Sequence, residues 1–118
     1  MTVKECYEAM DGDYGDVLSR LRTDERIRKF LIKILSDQSY SLLCQAIDER
    51  NVEEAFRMAH TLKGISQNLS LTPLYHSSAR LSDLLRDCTE YGDDVGPVMR
   101  QLSDDYARIE ACIRLLAD

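Results

Sequence analysis

The sequence predicts an all-α protein, an antiparallel up-down four-helix bundle preceded by one or two short N-terminal helices. Three observations carry this. Glycine and proline are scarce, five and two in 118 residues, and no convincing run alternates with the period of two that a half-buried strand requires. Apolar residues instead recur three and four apart along most of the chain, the spacing that lines one face of a helix. Helix-start signals stand ahead of these stretches, at Thr2, Thr23, Asn51 and Thr72.

Taken in order, Thr2-Val3-Lys4-Glu5 has the form of a capping box and starts a short helix ending near Met10. Asp11-Gly12-Asp13 breaks it, and a second short helix runs from about Tyr14 to Leu21. Thr23 is an N-cap for the next. Ile27, Phe30, Leu31, Ile34 and Leu35 share one face there, and Leu42, Ala46 and Ile47 continue it. Leu35 and Leu42 are seven apart, so the phase survives Asp37-Gln38-Ser39, and one long or kinked helix to about Glu49 is preferred to two. Asn51 caps a further helix whose first-turn Glu53 and Glu54 complement its dipole. Its inward stripe is Val52, Ala55, Phe56, Ala59, Leu62, Ser66 and Leu69. Thr72-Pro73 reads as a cap followed by proline at the first helical position. That helix buries Leu74, Leu81, Leu84, Leu85 and Cys88 and fails around Glu90 to Asp94. The last runs from about Val95 to Leu116 with Pro97 in its first turn, burying Val98, Leu102, Tyr106, Ile109, Cys112, Ile113 and Leu116. Short links between long amphipathic helices favour antiparallel neighbours, with the N-terminal pieces covering one end.

A chain of this length can bury one real core, so a single domain over 1–118 is expected. No apolar stretch approaches the roughly 18 residues of a membrane span, and the N-terminus lacks a signal-peptide apolar core. A cytoplasmic location is expected. The net charge of −6, with lysine and arginine dispersed, argues against nucleic acid as a partner. The four cysteines, Cys6, Cys44, Cys88 and Cys112, include no Cys-x-x-Cys pair. Reduced thiols, three of them at apolar helix positions, fit this spacing better than a zinc site or a disulfide scaffold.

The most informative run is Ala59-His60-Thr61-Leu62-Lys63-Gly64. Residues three and four apart on a helix are surface neighbours, so His60, Lys63, Gly64 and Gln67 form one stripe. The inward stripe passes through Ala59 and Leu62, which turns His60 to the outer flank. A glycine inside a helix costs about 1 kcal/mol relative to alanine. A second protein that must come close to the imidazole would justify that cost, because any side chain at position 64 would stand in its way. Neutral imidazole is a competent nucleophile, and Lys63 supplies positive charge for an anion on the ring. The combination suggests a histidine that accepts and donates phosphate.

The stretch His60-Thr61-Leu62-Lys63-Gly64, followed by Asn68-Leu69 and Leu74, resembles the signature of the histidine-containing phosphotransfer (HPt) domains of bacterial phosphorelays. The specific motif spans about Ala59 to Leu74. The resemblance implies that His60 is the phosphorylated histidine, Lys63 the phosphate-side lysine and Gly64 the small residue that admits a receiver domain. It also implies that Mg²⁺ and the acidic pocket belong to the receiver, so this chain needs no metal or cofactor of its own. The implied partners are receiver domains of response regulators or hybrid histidine kinases. Ser70 departs from the pattern, since many relatives carry glycine there. Some relatives place a glutamine facing the histidine, where this chain has Ser82. Arg86, one turn on, is a candidate second positive charge, and Gln67 a candidate contact to phosphate or partner. A monomer is expected, because no long coiled-coil seam and no second such histidine is present: His76 has Ala79 and Arg80 at the lysine and glycine offsets.

Two other functions compete. A histidine-kinase dimerisation domain also carries its histidine on a helix, but an acidic residue usually follows and a proline comes about a turn later; Thr61 and Ile65 stand there. The chain also leaves no room for an ATP-binding domain, and it shows no Gly-rich phosphate loop, His-Glu-x-x-His helix or Glu-x-x-His pair. A helical interaction module whose histidine is never phosphorylated is the second alternative.

Overall fold

The computed structural model describes residues 1–117; Asp118, the last residue of the expected domain, lies outside the described residues. Among the described residues seven helices follow one another: α1 Val3–Met10, α2 Tyr14–Leu21, α3 Asp24–Ile34, α4 Ser39–Asp48, α5 Val52–Asn68, α6 Thr72–Leu85 and α7 Val95–Ala117. The local caps read from the sequence form. Thr2 and Glu5 make the reciprocal capping box, Thr23 accepts from the Arg26 amide and Asn51 from the Glu54 amide.

α5 lies between α4 and α6, and α6 packs on α7. Tyr40 of α4 stacks on Tyr106 of α7, ring centroids 4.1 Å apart, so these two helices touch at that aromatic pair. α1 and α3 pack against α7. The buried side chains form one cluster, from Val3 and Tyr7 through Leu62 and Leu81 to Leu116. Serines line part of α5 and α6. Ser66, Ser77 and Ser78 are buried and return their hydroxyls to carbonyls one turn back, which pairs the polar atom at these three interior positions.

Several details differ from what the sequence predicts. The stretch from Thr23 to Glu49 is two helices. Backbone bonds three residues apart, Leu35 to Ile32, Ser36 to Lys33 and Asp37 to Ile34, tighten the end of α3. The Asp37 carboxylate then accepts the Ser39 amide at 2.8 Å and opens α4. This break resets the phase by one residue: Leu43 is buried, whereas Leu42 is 38% exposed. Phe30 also faces outward, with the Lys33 ammonium 5.2 Å from its ring centroid. At the start of α6, Thr72 is the first helical residue and Leu71 occupies the cap without a side-chain bond, so Pro73 falls one place further in. At its other end α6 stops at Leu85; Arg86 is extended and Asp87 left-handed, which leaves Cys88 exposed rather than buried. Cys6 and Cys112 are buried, and burial pushes the Cys6 thiol up to about 11, so that side chain stays a protonated apolar group at neutral pH.

The turn from α5 to α6 is held from outside. The Leu71 amide bonds the Ser66 carbonyl at 2.9 Å and the Ser70 amide the Gln67 carbonyl at 3.3 Å, the paired bonds of a Schellman motif. Ser70 sits at its left-handed position with φ 54°, where glycine is the usual residue. The N-terminal segment braces this strained serine. The Asp13 amide bonds the Ser70 carbonyl at 2.9 Å, and the buried Tyr7 hydroxyl donates to the Leu69 carbonyl at 2.7 Å. Gly12 permits the approach, since a Cβ there would lie 2.7 Å from the Tyr7 ring and 3.1 Å from the Ser70 carbonyl oxygen.

Candidate functional site

His60 stands exposed on α5 between buried Ala59 and Leu62. Its neighbour within the helix is Phe56, one turn earlier, whose ring centroid lies 5.9 Å from the imidazole at an interplanar angle of 25°. Phe56 is only half-buried. It was expected in the inward stripe, and its i,i+4 spacing to His60 is the sequence signal that would have placed it at the site. The Arg86 guanidinium lies over the same ring, 5.9 Å from its centroid. His60 on α5 and Arg86, the extended residue just past the end of α6, therefore flank one aromatic side chain. Arg86 also pairs loosely with Asp83 at 3.6 Å, both exposed.

Lys63 is half-buried on the stripe, and among the described residues no carboxylate pairs with it. Its ammonium charge is available to an incoming anion. Next to it, a Cβ built on Gly64 meets nothing within 4 Å. Among the described residues nothing crowds Gly64, so their packing does not require a glycine there. Gln67 is exposed one turn further and borders an open depression with Gly64, Asn68 and Arg20.

Ser82 corrects an expectation. Its side chain is fully buried and its Oγ has no hydrogen-bond partner. A side chain with no exposed surface offers a docking protein nothing to touch, so Ser82 is not a contact residue as it stands. His76, on α6 beside Tyr75, is exposed. Among the described residues no group of three or more His, Cys, Asp or Glu is placed to hold a metal ion, and no helix is long and apolar enough to cross a membrane.

Arg20 had no signal in the sequence, standing forty residues before His60. From α2 its guanidinium crosses to the C-terminal end of α5. Nε donates to the Asn68 carbonyl at 3.1 Å, and Nη2 approaches the carbonyls of Asn68 and Gln67 at 2.8 and 3.2 Å. The same group lies 2.7 Å from Ser70 Oγ and 3.3 Å from the Asp16 carboxylate. Ser70 Oγ in turn donates to Asp16 at 2.6 Å. The Ser70 hydroxyl first, and the Arg20 guanidinium after it, hold the Asp16 carboxyl below the usual carboxylate range.

A family model described as the Hpt domain matches residues 35–112. That span takes in α4, α5, α6 and most of α7 and leaves α1, α2 and α3 outside it. No curated protein and no solved structure gives a significant match to the chain.

Proposed function

The chain belongs to the Hpt-domain family, whose members are phosphotransfer carriers of phosphorelays rather than kinases, and we propose that His60 is the residue on which this member carries the phosphoryl group. The observation that carries the reading is the open surface at His60, Lys63 and Gly64: an exposed imidazole, an unpaired ammonium one turn away and a glycine with empty space above it.

The unprotonated nitrogen of the neutral ring attacks the phosphorus of a phospho-aspartate on a receiver domain. An N–P bond forms as the P–O bond to the aspartate breaks, and the carboxylate leaves with the electron pair. The ring proton stays on the other nitrogen until solvent removes it. Return to a second receiver reverses the sequence. Such transfers need in-line geometry and charge stabilisation more than covalent help from the protein. Lys63 supplies that charge at the phosphoryl oxygens, Arg86 a second charge across Phe56, and Gly64 and Gln67 the surface on which the receiver rests. The receiver brings its own Mg²⁺. The short α5–α6 link and the packing of α4 to α7 support an up-down arrangement of these four helices around the site. We take the protein to work as a cytoplasmic monomer.

The test uses purified protein and receiver domains charged with acetyl phosphate. With ATP and Mg²⁺ alone the chain is expected to stay unlabelled. It should gain an acid-labile, base-stable phosphate from a charged receiver and lose it to an uncharged one. Labelling by ATP alone would favour a kinase, and no labelling by any receiver would favour an interaction module. Lys63→Ala is expected to slow transfer by an amount equivalent to about 1–3 kcal/mol, the range for one charge-assisted contact. Single-turnover transfer rates measure it, and a wild-type rate would remove Lys63 from the site.

A further inference from the structure

The segment outside the matched family span reaches into the site through Arg20. We propose that Arg20 is a positioning residue for receiver docking: from α2 it fixes the last turn of the His60 helix and presents its one remaining Nη1 hydrogen beside Gly64 to an acceptor on the receiver. This inference rests on the reading of His60 as the acceptor.

Three observations combine. A helix end leaves its last carbonyls short of intrahelical partners; Arg20 takes that of Asn68 and shares that of Gln67 with the Ser70 amide. A guanidinium is a planar fork of five donors, so contacts to two carbonyls, to Ser70 and to Asp16 fix its plane rather than merely its charge. Among the described residues its Nη1 bonds only Asp16, which leaves a hydrogen for a partner. Finally, Arg20, Gly64, Gln67 and Asn68 border the same depression. A protein that comes in over Gly64 therefore meets this guanidinium together with the two side chains whose backbone it holds.

The position of Arg20 also separates docking from chemistry. Asn68 lies eight residues beyond His60, about 12 Å along the helix axis. Loosening that end changes the docking surface while the imidazole, Phe56 and Lys63 remain as they are. Asp16 and Ser70 brace the fork from below, and both lie in or against the segment that the family span does not require.

The experiment compares wild type with Arg20→Gln, using two phosphate donors. One is the receiver that labels wild type fastest after charging with acetyl phosphate. The other is phosphoramidate, a donor too small to need a docking surface. For Arg20→Gln the KM for the charged receiver is expected to rise about tenfold with kcat nearly unchanged, the pattern of lost uniform binding, and labelling by phosphoramidate should stay close to wild type. An unchanged KM overturns the inference. So does an equal fall with both donors, which would make Arg20 a purely structural brace. Where Arg20→Gln does not fold, Arg20→Lys, which keeps the charge and loses the fork, must show the same split at about threefold. Wild type that no receiver labels, by contrast, overturns the reading of His60 and the inference with it.

Discussion

Replacing His60 with glutamine is expected to reduce labelling by a charged receiver to background while leaving helicity and melting temperature nearly unchanged. The imidazole is exposed, with the Phe56 ring 5.9 Å from it. Among the described residues it makes no hydrogen bond or ion pair that the fold would lose. Glutamine is a slightly better helix former than histidine, and exposed substitutions of this kind usually move stability by no more than about 0.5 kcal/mol. Function should respond in the opposite way, because an amide is no nucleophile and no neighbouring side chain can replace the ring. His76 is the only other histidine. It lies on α6, with Ala79 and Arg80 where Lys63 and Gly64 stand relative to His60. Circular dichroism melts and single-turnover labelling, run on the same preparation, read the two halves of the prediction. Label that persists on the variant would move the acceptor to His76 or elsewhere.

What the sequence made legible divides by the range of the interactions involved. Caps are local. Thr2 with Glu5, Thr23 and Asn51 each satisfy an amide three residues on, so the starts of α1, α3 and α5 follow from a few letters. The outward turn of His60 also follows, because Ala59 and Leu62 mark the inner face of a long helix with clear periodicity. The break between α3 and α4 was hidden by a coincidence of spacing. Leu35 and Leu42 keep the period of one helix, but the Asp37 carboxylate takes the Ser39 amide and the next inward residue becomes Leu43. Asp37 and Ser39 are themselves turn formers, and that was the available signal. The bracing of the α5–α6 turn left no periodic trace. Ser70 in a left-handed conformation, Gly12 beneath the Tyr7 ring and the reach of Arg20 to Asn68 all depend on segments far apart in the chain. The departure from glycine at position 70 was visible in the sequence. Its consequence, a hydroxyl caught between Asp16 and Arg20, required the structure.

Gly64→Gln is expected to make the protein more stable and worse at its work. A helix-interior glycine is disfavoured by about 0.8–1.0 kcal/mol relative to alanine, and glutamine lies close to alanine on that scale. Whether the gain appears depends on room for the new side chain, and a Cβ at position 64 meets nothing within 4 Å. The chain thus keeps a destabilising residue at a place where its own packing does not require one. What gains from the glycine must come from outside. Transfer demands that the receiver bring phosphorus within about 3–3.5 Å of the imidazole, and a displacement of about 1 Å at such a centre costs about a hundredfold in rate. A glutamine one turn from His60 projects into that approach. Receiver-dependent transfer should therefore fall about a hundredfold, while phosphoramidate, which needs no wide approach, should still label the ring. The opposite signs make the test sharp, since a variant that merely damaged the fold would melt lower and lose both donors together. Wild-type transfer from the receiver, measured on a variant whose melting temperature has risen, would show that the space above Gly64 is not where the partner comes in.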